Sequence, residues 1–502
     1  MKIYLLLFIG LIVAAFFLRW ASSNLPRVLD PREIPVAFWT WGNRTPNSEE
    51  VERAISTDRA KTFFIQAGQI DYKGDGLTMI RPTKGDFPTQ LEVHLVYNAT
   101  PSFLNKLEDV EPEVFGQFVA NAFLSELSSK NADFISGLQL DLDIPTRLLP
   151  RYADLLRHTR ANLPTEKRLS ITGLATWLSS NDLGSVLGEV DFWAPQFYGY
   201  EIPKDPTRML PISSIEQIRV DVAAARSFGK PFYAGLAAYG MALHYSRTNA
   251  LVEIRGNIPL GKALKYDALQ LVESGSLSRD GGAAERYYTF KANYDVVIDG
   301  LTISSGEKLA FIQPSSSSLR NAANAVRTFA GDKLVGICIF RFPLSIDETT
   351  LSLSEIAASL QDRPTTVEIK SVAENIGPGR FSLSIQDRGT ASSLIARDAF
   401  VLELPVSSPG LTQVESYSGF DSVEPMCSIG DRIVPCSERR ADILRFRASY
   451  WRPGSTASVE IRSVGGEYQI ADGAIVSIKV DDGTEVVRPI KFETTQLLSG
   501  SR

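Results

Sequence analysis

The stretch Phe134-Ile-Ser-Gly-Leu-Gln-Leu-Asp-Leu-Asp143 decides the fold. Its apolar and polar residues alternate strictly, so its leucines point one way while Gln139, Asp141 and Asp143 point the other, which is the two-residue repeat of a β-strand. Ionised groups on a buried strand are costly to desolvate unless they are paired or used. A structural ion pair with a following arginine such as Arg147 is the alternative. We favour a chemical role, because both carboxylates lie at the C-terminal end of the strand.

Short apolar strands alternate with helical patterns on both sides of this stretch. Because eight strands with intervening helices are typical of a (β/α)8 TIM barrel, an α/β fold, we expect one over residues 33–345. The predicted strands are residues 35–41, 61–66, 91–97, 134–143, 169–177, 190–198, 231–239 and 334–340, and the clearest predicted helices are residues 112–130, 147–162, 214–228 and 317–330.

A long insertion, residues 241–312, follows the seventh predicted strand. It contains Tyr294-Asp-Val-Val-Ile-Asp-Gly-Leu-Thr-Ile303, which predicts a small hairpin with an Asp-Gly turn. An insertion at this point of the barrel lies on its catalytic face. We therefore expect it to form one wall of a cleft.

The pattern changes after the barrel. Residues 365–496 contain short alternating strands, such as residues 457–462 and 474–479, separated by Gly and Pro turns, which predicts an all-β sandwich-like domain. Cys427 and Cys436 flank a turn-rich loop and could close a disulfide in an oxidising compartment. Cys338 lies in an apolar run and is expected to be a buried thiol.

The N-terminus predicts export. Met1-Lys2 precedes an apolar run, residues 3–18, which Arg19 follows. This pattern is typical of a signal peptide or a short membrane anchor, here residues 1–24, and it leaves cleavage open. The bulk of the chain would then be periplasmic or anchored to the inner membrane, touching the membrane only through this segment.

Composition excludes several classes of function. The 502 residues carry 52 Lys plus Arg against 58 Asp plus Glu, with no basic patch, so we expect no nucleic-acid partner. The three His and three Cys show no metal-binding spacing. There is no Gly-rich phosphate loop and no nucleophile-elbow serine. We therefore expect neither a metal nor a cofactor.

In such a barrel the C-terminal ends of the strands point into one mouth. Aromatic faces and planar amides there suit sugar rings, although each Trp or Tyr taken alone is more often a core residue. The sequence thus predicts a carbohydrate or glycan as the partner. The residues collected at the mouth are Trp39, Trp41, Gln66, Gln69, Asn98, Gln139, Asp141, Asp143, Trp177, Gln196, Tyr198, Tyr239, Phe340 and Arg341.

Several segments, in order, resemble family 18 glycoside hydrolases, the chitinase-type barrels. Ser136-Gly-Leu-Gln-Leu-Asp-Leu-Asp143 lies over their D-x-x-D-x-D-x-E strand, and Ala234-Gly-Leu-Ala-Ala-Tyr-Gly240 is similar to their Gly-x-Pro-x-Tyr-Gly strand. Val190-Asp-Phe-Trp-Ala-Pro-Gln-Phe-Tyr198 resembles the sixth strand of that family. Two segments are closer still to an uncharacterised bacterial family, a domain of unknown function: Gln139-Leu-Asp-Leu-Asp143 and Leu169-Ser-Ile-Thr-Gly-Leu-Ala-Thr-Trp-Leu178. The resemblance covers about residues 33–345 and implies the TIM-barrel fold.

The resemblance implies glycoside hydrolysis, with Asp143 as the general acid that protonates the leaving oxygen. Asp141 would orient a 2-acetamido group or stabilise positive charge, and Tyr198 would bond that group. The remaining expected substrate-binding residues are Gln139, Gln196, Trp39, Trp41, Trp177, Tyr239, Asn98 and Arg341.

The chain departs from the family pattern at the acid itself. Asp143 stands where the family has Glu, and Ser136, Gln139 and Gly199 stand where it has Asp. Asp is one methylene shorter than Glu, and a misplacement of about 1 Å can cost roughly a hundredfold in rate. The alternative readings are a catalytically inactive carbohydrate-binding protein and an envelope scaffold.

Overall fold

The computed structural model describes residues 28–42, 44–74, 76–277, 285–344, 349–406, 412–430, 432–463, 473–480, 483–491 and 493–495. The expected signal or anchor, residues 1–24, lies outside them. Within this described part of the chain, no helix combines the length and apolar character that a membrane span requires.

The strands and helices up to the end of the barrel alternate as the sequence predicts, with extra strands in the insertion. The strands are β1 (Val36–Thr40), β2 (Ala60–Lys73), β3 (Gly76–Ile80), β4 (Glu92–Ala99), β5 (Gly137–Asp141), β6 (Arg168–Leu174), β7 (Phe192–Gln196), β8 (Phe232–Ala237), β9 (Met241–Tyr245), β10 (Leu251–Arg255), β11 (Leu269–Ser276), β12 (Arg286–Ala292), β13 (Val296–Ile298), β14 (Leu301–Ile303), β15 (Lys308–Gln313) and β16 (Leu334–Phe340). The α-helices are α1 (Ser48–Asp58), α2 (Pro101–Asn105), α3 (Pro112–Ser129), α4 (Leu149–Asn162), α5 (Leu183–Gly188), α6 (Ile215–Ser227), α7 (Leu260–Ala263), α8 (Ser316–Phe329) and α9 (Leu353–Leu360).

Eight parallel strands of the described residues close into a barrel. Their order around the sheet is β1, β16, β8, β7, β6, β5, β4 and β2, and β2 pairs back onto β1. The fold class expected from the sequence, a TIM barrel, is therefore confirmed. Closure leaves β3 as an additional strand, which pairs with β2 in antiparallel orientation.

The alternation in β5 separates two environments. Leu138 and Leu140 point outward and are fully buried in the layer between the strands and the helices. Gln139 is buried on the inner face of the barrel. Glycine is required at position 137, the first residue of β5, because a Cβ there would stand 2.2 Å from the backbone oxygen of Arg168. The sequence pattern thus sets the face of each side chain, and close packing sets the glycine.

The bounds of some predicted strands differ from those observed. The fifth was predicted to reach residue 177, but β6 ends at Leu174 and a 3₁₀ helix, Ala175–Ser179, follows. The second is longer than predicted, since β2 runs to Lys73 and turns back as β3. This hairpin rises above the rest of the barrel next to the C-terminal end of β4. Local pattern alone did not indicate it.

The insertion forms an antiparallel sheet in the order β10, β9, β15, β12 and β11, and a separate hairpin of β13 and β14. Asp299 and Gly300 form the turn of that hairpin, and both have positive φ, of 46° and 78°. Asp-Gly suits such a turn because both positions need the left-handed conformation. The hairpin predicted from the sequence is present.

Two further sheets follow the barrel. One has the order β20, β24, β18, β17 and β27, the other the order β22, β21, β23, β19, β25 and β26, and side chains of both share one apolar core. Cys427 and Cys436 form a disulfide with their Cα atoms 5.8 Å apart. The strands are β17 (Ile369–Gly377), β18 (Arg380–Asp387), β19 (Phe400–Pro405), β20 (Thr412–Ser418), β21 (Ser422–Ile429), β22 (Arg432–Pro435), β23 (Ile443–Ala448), β24 (Thr456–Ser463), β25 (Ile475–Lys479), β26 (Glu485–Pro489) and β27 (Glu493–Thr495).

Candidate active site

A cavity of about 460 Å³ lies at the C-terminal ends of β2, β4 and β5. This volume falls in the range of small-ligand sites. Both aspartates of the acidic strand reach it, together with an exposed tryptophan and a wall of amides. Its described lining residues are Trp41, Gly42, Gln66, Gln69, Arg81, Asn98, Ala99, Leu104, Asp141, Leu142 and Asp143.

Asp141 is the last residue of β5 and is held from two sides. The hydroxyl of Thr172, on β6, donates to its Oδ1 at 2.6 Å, and the amide of Gln196, on β7, donates to the same oxygen at 3.4 Å. Burial and the neighbouring charge of Asp143 raise the pKa of Asp141 to about 7, and the Thr172 hydrogen bond opposes that rise. Near neutral pH this carboxyl can therefore hold or release a proton.

Asp143 lies beyond the end of the strand, in the loop. Its φ of 46° places it in the left-handed region, which Asp tolerates better than most residues. Its side chain is exposed at the cavity, and partial desolvation raises its pKa. The two carboxyls titrate as a coupled pair, because each disfavours a second negative charge beside it. The site is thus suited to sharing one proton.

An aromatic cluster lies beside the cavity and centres on Phe340. Tyr198 stacks on Phe340 with ring centroids 5.9 Å apart, while Tyr239 and Trp41 meet it edge-on at 5.1 and 5.5 Å. Trp41 remains 45% exposed and also lines the cavity. Burial raises the pKa of Tyr198 well above its ordinary value, and negative neighbours including Asp141 add to the rise. The Tyr198 hydroxyl therefore stays protonated and can donate.

The amide wall is internally bonded. Gln66 accepts a hydrogen bond from the backbone N–H of Gly42 at 2.8 Å and donates to Oδ1 of Asn98 at 3.2 Å. Gln69 donates to the backbone oxygen of Ala99 at 3.4 Å. These bonds fix the amides in place. Asn98 and Gln69 both line the cavity.

Three expected substrate-binding residues are buried instead, which corrects the sequence-based expectation. Trp39 is 4% exposed and donates from Nε1 to Oε1 of Gln139 at 2.7 Å, while Gln139 is fully buried and donates to Oγ of Ser170 at 3.3 Å. Trp177 is 1% exposed and donates to the backbone oxygen of Ile144 at 2.8 Å. These three residues pack around the site and are not among the described lining residues of the cavity.

Arg341 also lies away from the cavity. Its guanidinium donates to the backbone oxygen of Gly256 at 2.8 Å and to Oγ1 of Thr349 at 2.5 Å, and the residue is 9% exposed. It joins the insertion to the segment after β16. Direct substrate binding, the role expected from the sequence, is replaced by this structural one.

Five lining residues are absent from the set that the sequence placed at the mouth: Gly42, Arg81, Ala99, Leu104 and Leu142. Arg81 follows the β2–β3 hairpin, and Leu104 lies in α2. Neither follows a predicted barrel strand, so no local pattern marks them. Among the described residues no cluster of three or more His, Cys, Asp or Glu could hold a metal ion.

The model of a family described as "Domain of unknown function (DUF3142)" matches residues 117–273. No curated protein matches the chain. Similar solved structures include the C-terminal domain of a putative chitinase from Desulfitobacterium hafniense, with 12% identity, a TM-score of 0.45 and coverage of 66% of this chain and 99% of that one. A chitinase from Chromobacterium violaceum has 13% identity, a TM-score of 0.44, and coverage of 66% and 100%.

A spore cortex-lytic enzyme from Bacillus cereus is also similar, with 13% identity, a TM-score of 0.43, and coverage of 66% of this chain and 74% of that one. The family match contains both segments, residues 139–143 and 169–178, that resemble an uncharacterised family in the sequence. β5, β6 and β7 with their carboxylate and amide side chains lie inside the matched residues. Residues 117–273 of this closed barrel thus match the family described as Domain of unknown function (DUF3142).

Proposed function

We propose that the chain is an exported glycoside-hydrolase-like protein that acts on a polysaccharide or glycan, with Asp143 as general acid. One observation carries the proposal. Asp141 and Asp143 share a cavity at the mouth of the barrel with the exposed ring of Trp41 and fixed amides. Acids with raised pKa values provide proton transfer, and an aromatic face with amide groups provides sugar binding.

In the proposed reaction, the pair Asp141 and Asp143 first holds the proton that Asp143 later donates. Near neutral pH Asp141 is partly protonated, because its pKa is about 7, and desolvation raises the pKa of Asp143 as well. A 2-acetamido group or developing positive charge against Asp141 favours its ionised form. The proton then remains on Asp143, which faces the cavity and donates it to the leaving oxygen.

The remaining groups orient the substrate. Trp41 offers one exposed aromatic face, Asn98 offers an amide donor, and the protonated hydroxyl of Tyr198 donates from the aromatic cluster. Gln196 and Thr172 hold Oδ1 of Asp141. This leaves its other oxygen for the substrate.

Export is part of the same proposal. The apolar run over residues 3–18 follows a basic start, which is the pattern of a signal or anchor. The disulfide between Cys427 and Cys436 suits an oxidising compartment such as the periplasm. The mass of the mature N-terminus distinguishes a cleaved signal from an uncleaved anchor, because the two leave different first residues.

Reducing-end release from a panel of polysaccharides, chitin oligomers included, tests the activity. We expect Asp143→Asn to lower release by at least a hundredfold. Asp133→Asn is the matched control: Asp133 is exposed and precedes β5, at the opposite end of the strand. Equal release by wild type and Asp143→Asn would contradict the general-acid role.

The alternative function is a catalytically inactive carbohydrate-binding or scaffold protein. The shorter Asp143 in place of Glu favours it. Glycan binding that Asp143→Asn leaves intact and Trp41→Ala abolishes, with no release by wild type, would identify the binding protein. Absence of both binding and release across the panel would leave the scaffold role.

A further inference from the structure

One residue that lines the cavity, Arg81, takes no part in the proposed proton transfer. Arg81 is the only cationic residue among its described lining residues, and its exposed guanidinium makes no hydrogen bond or ion pair with any described residue. A guanidinium presents five N–H donors in a planar fork that fits a carboxylate. No described residue accepts a hydrogen bond from these donors.

The register of the strands fixes where the backbone of Arg81 lies. Ile80, which precedes Arg81, pairs with Gln69, Gln69 pairs with Asn98, and Asn98 pairs with Asp141. Neighbouring strands are about 4.8 Å apart, so roughly 14 Å of backbone separates the two ends of this row. The backbone at Arg81 thus lies about three strand spacings from Asp141, with Gln69 and Asn98 on the strands between them, and all four residues line the cavity.

The backbone at Arg81 is held in an unfavourable conformation. Its φ is 52°, in the left-handed region, and a residue with a Cβ costs about 1–2 kcal/mol there. Gly or Asn would relieve that cost. Strained backbone of this kind clusters at functional sites.

We propose that Arg81 binds a carboxylate carried by a sugar unit of the substrate, so that the glycan contains acidic sugars. This inference rests on the proposed function and names its substrate class. The amides and the aromatic ring of the cavity hold uncharged sugar units of the substrate. The acid pair acts on the glycosidic bond. The protein has a net charge of −6, which repels other anions. A sugar chain whose carboxylates are spaced apart is repelled less than one that carries a charge on every sugar.

The test compares each acidic glycan with its own neutral form. The probes are hyaluronan hexasaccharides and glycan fragments of alternating N-acetylglucosamine and N-acetylmuramic acid, each intact and after carboxyl reduction. Affinities of the full chain are measured by calorimetry. We expect at least one intact probe to bind about tenfold or more tighter than its reduced form, the size of a charge-assisted hydrogen bond.

Arg81→Gln should remove this preference and leave the affinity for the reduced probe unchanged, while Arg81→Lys should keep part of it. Equal affinity for intact and reduced forms of both probes, or equal weakening of both forms by Arg81→Gln, would overturn the inference. A sulfated, carboxyl-reduced hexasaccharide that binds as tightly as the intact one would overturn the carboxylate assignment. If no probe binds in any form, the inference fails, and the polysaccharide panel decides the proposed glycan function separately.

Discussion

Thr172 donates its hydroxyl proton to Oδ1 of Asp141 across the β5–β6 pair, at an oxygen–oxygen distance of 2.6 Å. This bond favours the ionised carboxylate, whereas burial and Asp143 favour the neutral acid. The balance holds the pKa of Asp141 at about 7. A single hydroxyl on the neighbouring strand therefore lowers the pKa of a carboxyl that takes part in the proposed reaction.

Removal of that hydroxyl should raise the pKa of Asp141 further. We expect Thr172→Val to shift the titration midpoint of the acid pair above the wild-type value, because the charged form loses a donor while burial is unchanged. Carboxyl ¹³C chemical shifts followed against pH measure it. Thr172→Ser, which keeps the hydroxyl, should titrate like wild type. An unchanged midpoint in Thr172→Val would show that the bond does not act on the pair.

Asp141 should make stability depend on pH. Its pKa is about 7 in the folded chain and near 3.8 in the unfolded one. Between about pH 4 and 7 the folded state therefore binds more protons, and stability falls as pH rises through this window. We expect Asp141→Asn to stabilise the protein more at pH 8 than at pH 5, by up to about 3 kcal/mol.

Urea unfolding at the two pH values measures this difference, with Asp133→Asn as the control. Asp133 is exposed, so its replacement should shift stability equally at both. A gain from Asp141→Asn that is the same at pH 5 and pH 8 would contradict the raised pKa.

Replacement of Trp177 should mainly lower stability, whereas replacement of Trp41 should mainly weaken glycan binding. Trp177 is 1% exposed and packs edge-on against Tyr152, so Trp177→Ala should destabilise the barrel by about 3–5 kcal/mol. Trp41 is 45% exposed, so Trp41→Ala should change stability by less than about 1 kcal/mol and weaken glycan binding. Thermal unfolding and calorimetric titration of both variants separate these effects. Loss of binding in a folded Trp177→Ala with none in Trp41→Ala would reverse the assignment.

The buried pair of Trp39 and Gln139 should be energetically coupled. Gln139→Leu leaves the indole N–H of Trp39 without its acceptor, which costs about 1–3 kcal/mol. Trp39→Phe removes the donor and leaves the amide oxygen unpaired. We expect the double variant to lose less stability than the sum of the two, by about 0.5–3 kcal/mol in a double-mutant cycle. Strict additivity would mean that the bond contributes nothing.

The disulfide should stabilise the C-terminal sheets. It joins cysteines nine positions apart, and a loop of that size corresponds to roughly 2–3 kcal/mol. The variant Cys427→Ser/Cys436→Ser should unfold at lower denaturant concentration than wild type, and reductant should lower only the wild-type midpoint. Cys338→Ser is the control for a buried thiol outside the disulfide. Reductant sensitivity in the double variant would point to another cause.

The sequence pattern did not predict how deep a side chain lies in the barrel. Alternation assigned Gln139 and Asp141 to the same inner face, and they share it. Gln139 nevertheless lies in a sealed layer with Trp39, whereas Asp141, one inward position later, reaches the cavity. A period of two identifies the face of a strand but not the point at which packed interior gives way to the open mouth.

Local residue patterns alone determined the parallel barrel, the strand that carries the two aspartates, the Asp-Gly hairpin and the change to β-sheets after residue 365. These features depend on hydrophobic periodicity and turn chemistry, which act between near neighbours in the chain. Tertiary structure alone decided that Trp177 is core, that Arg341 links two segments, and that Arg81 lines the same cavity as the acid pair. Each of these depends on strands far apart in sequence meeting at one rim, and only closure of the barrel brings them together.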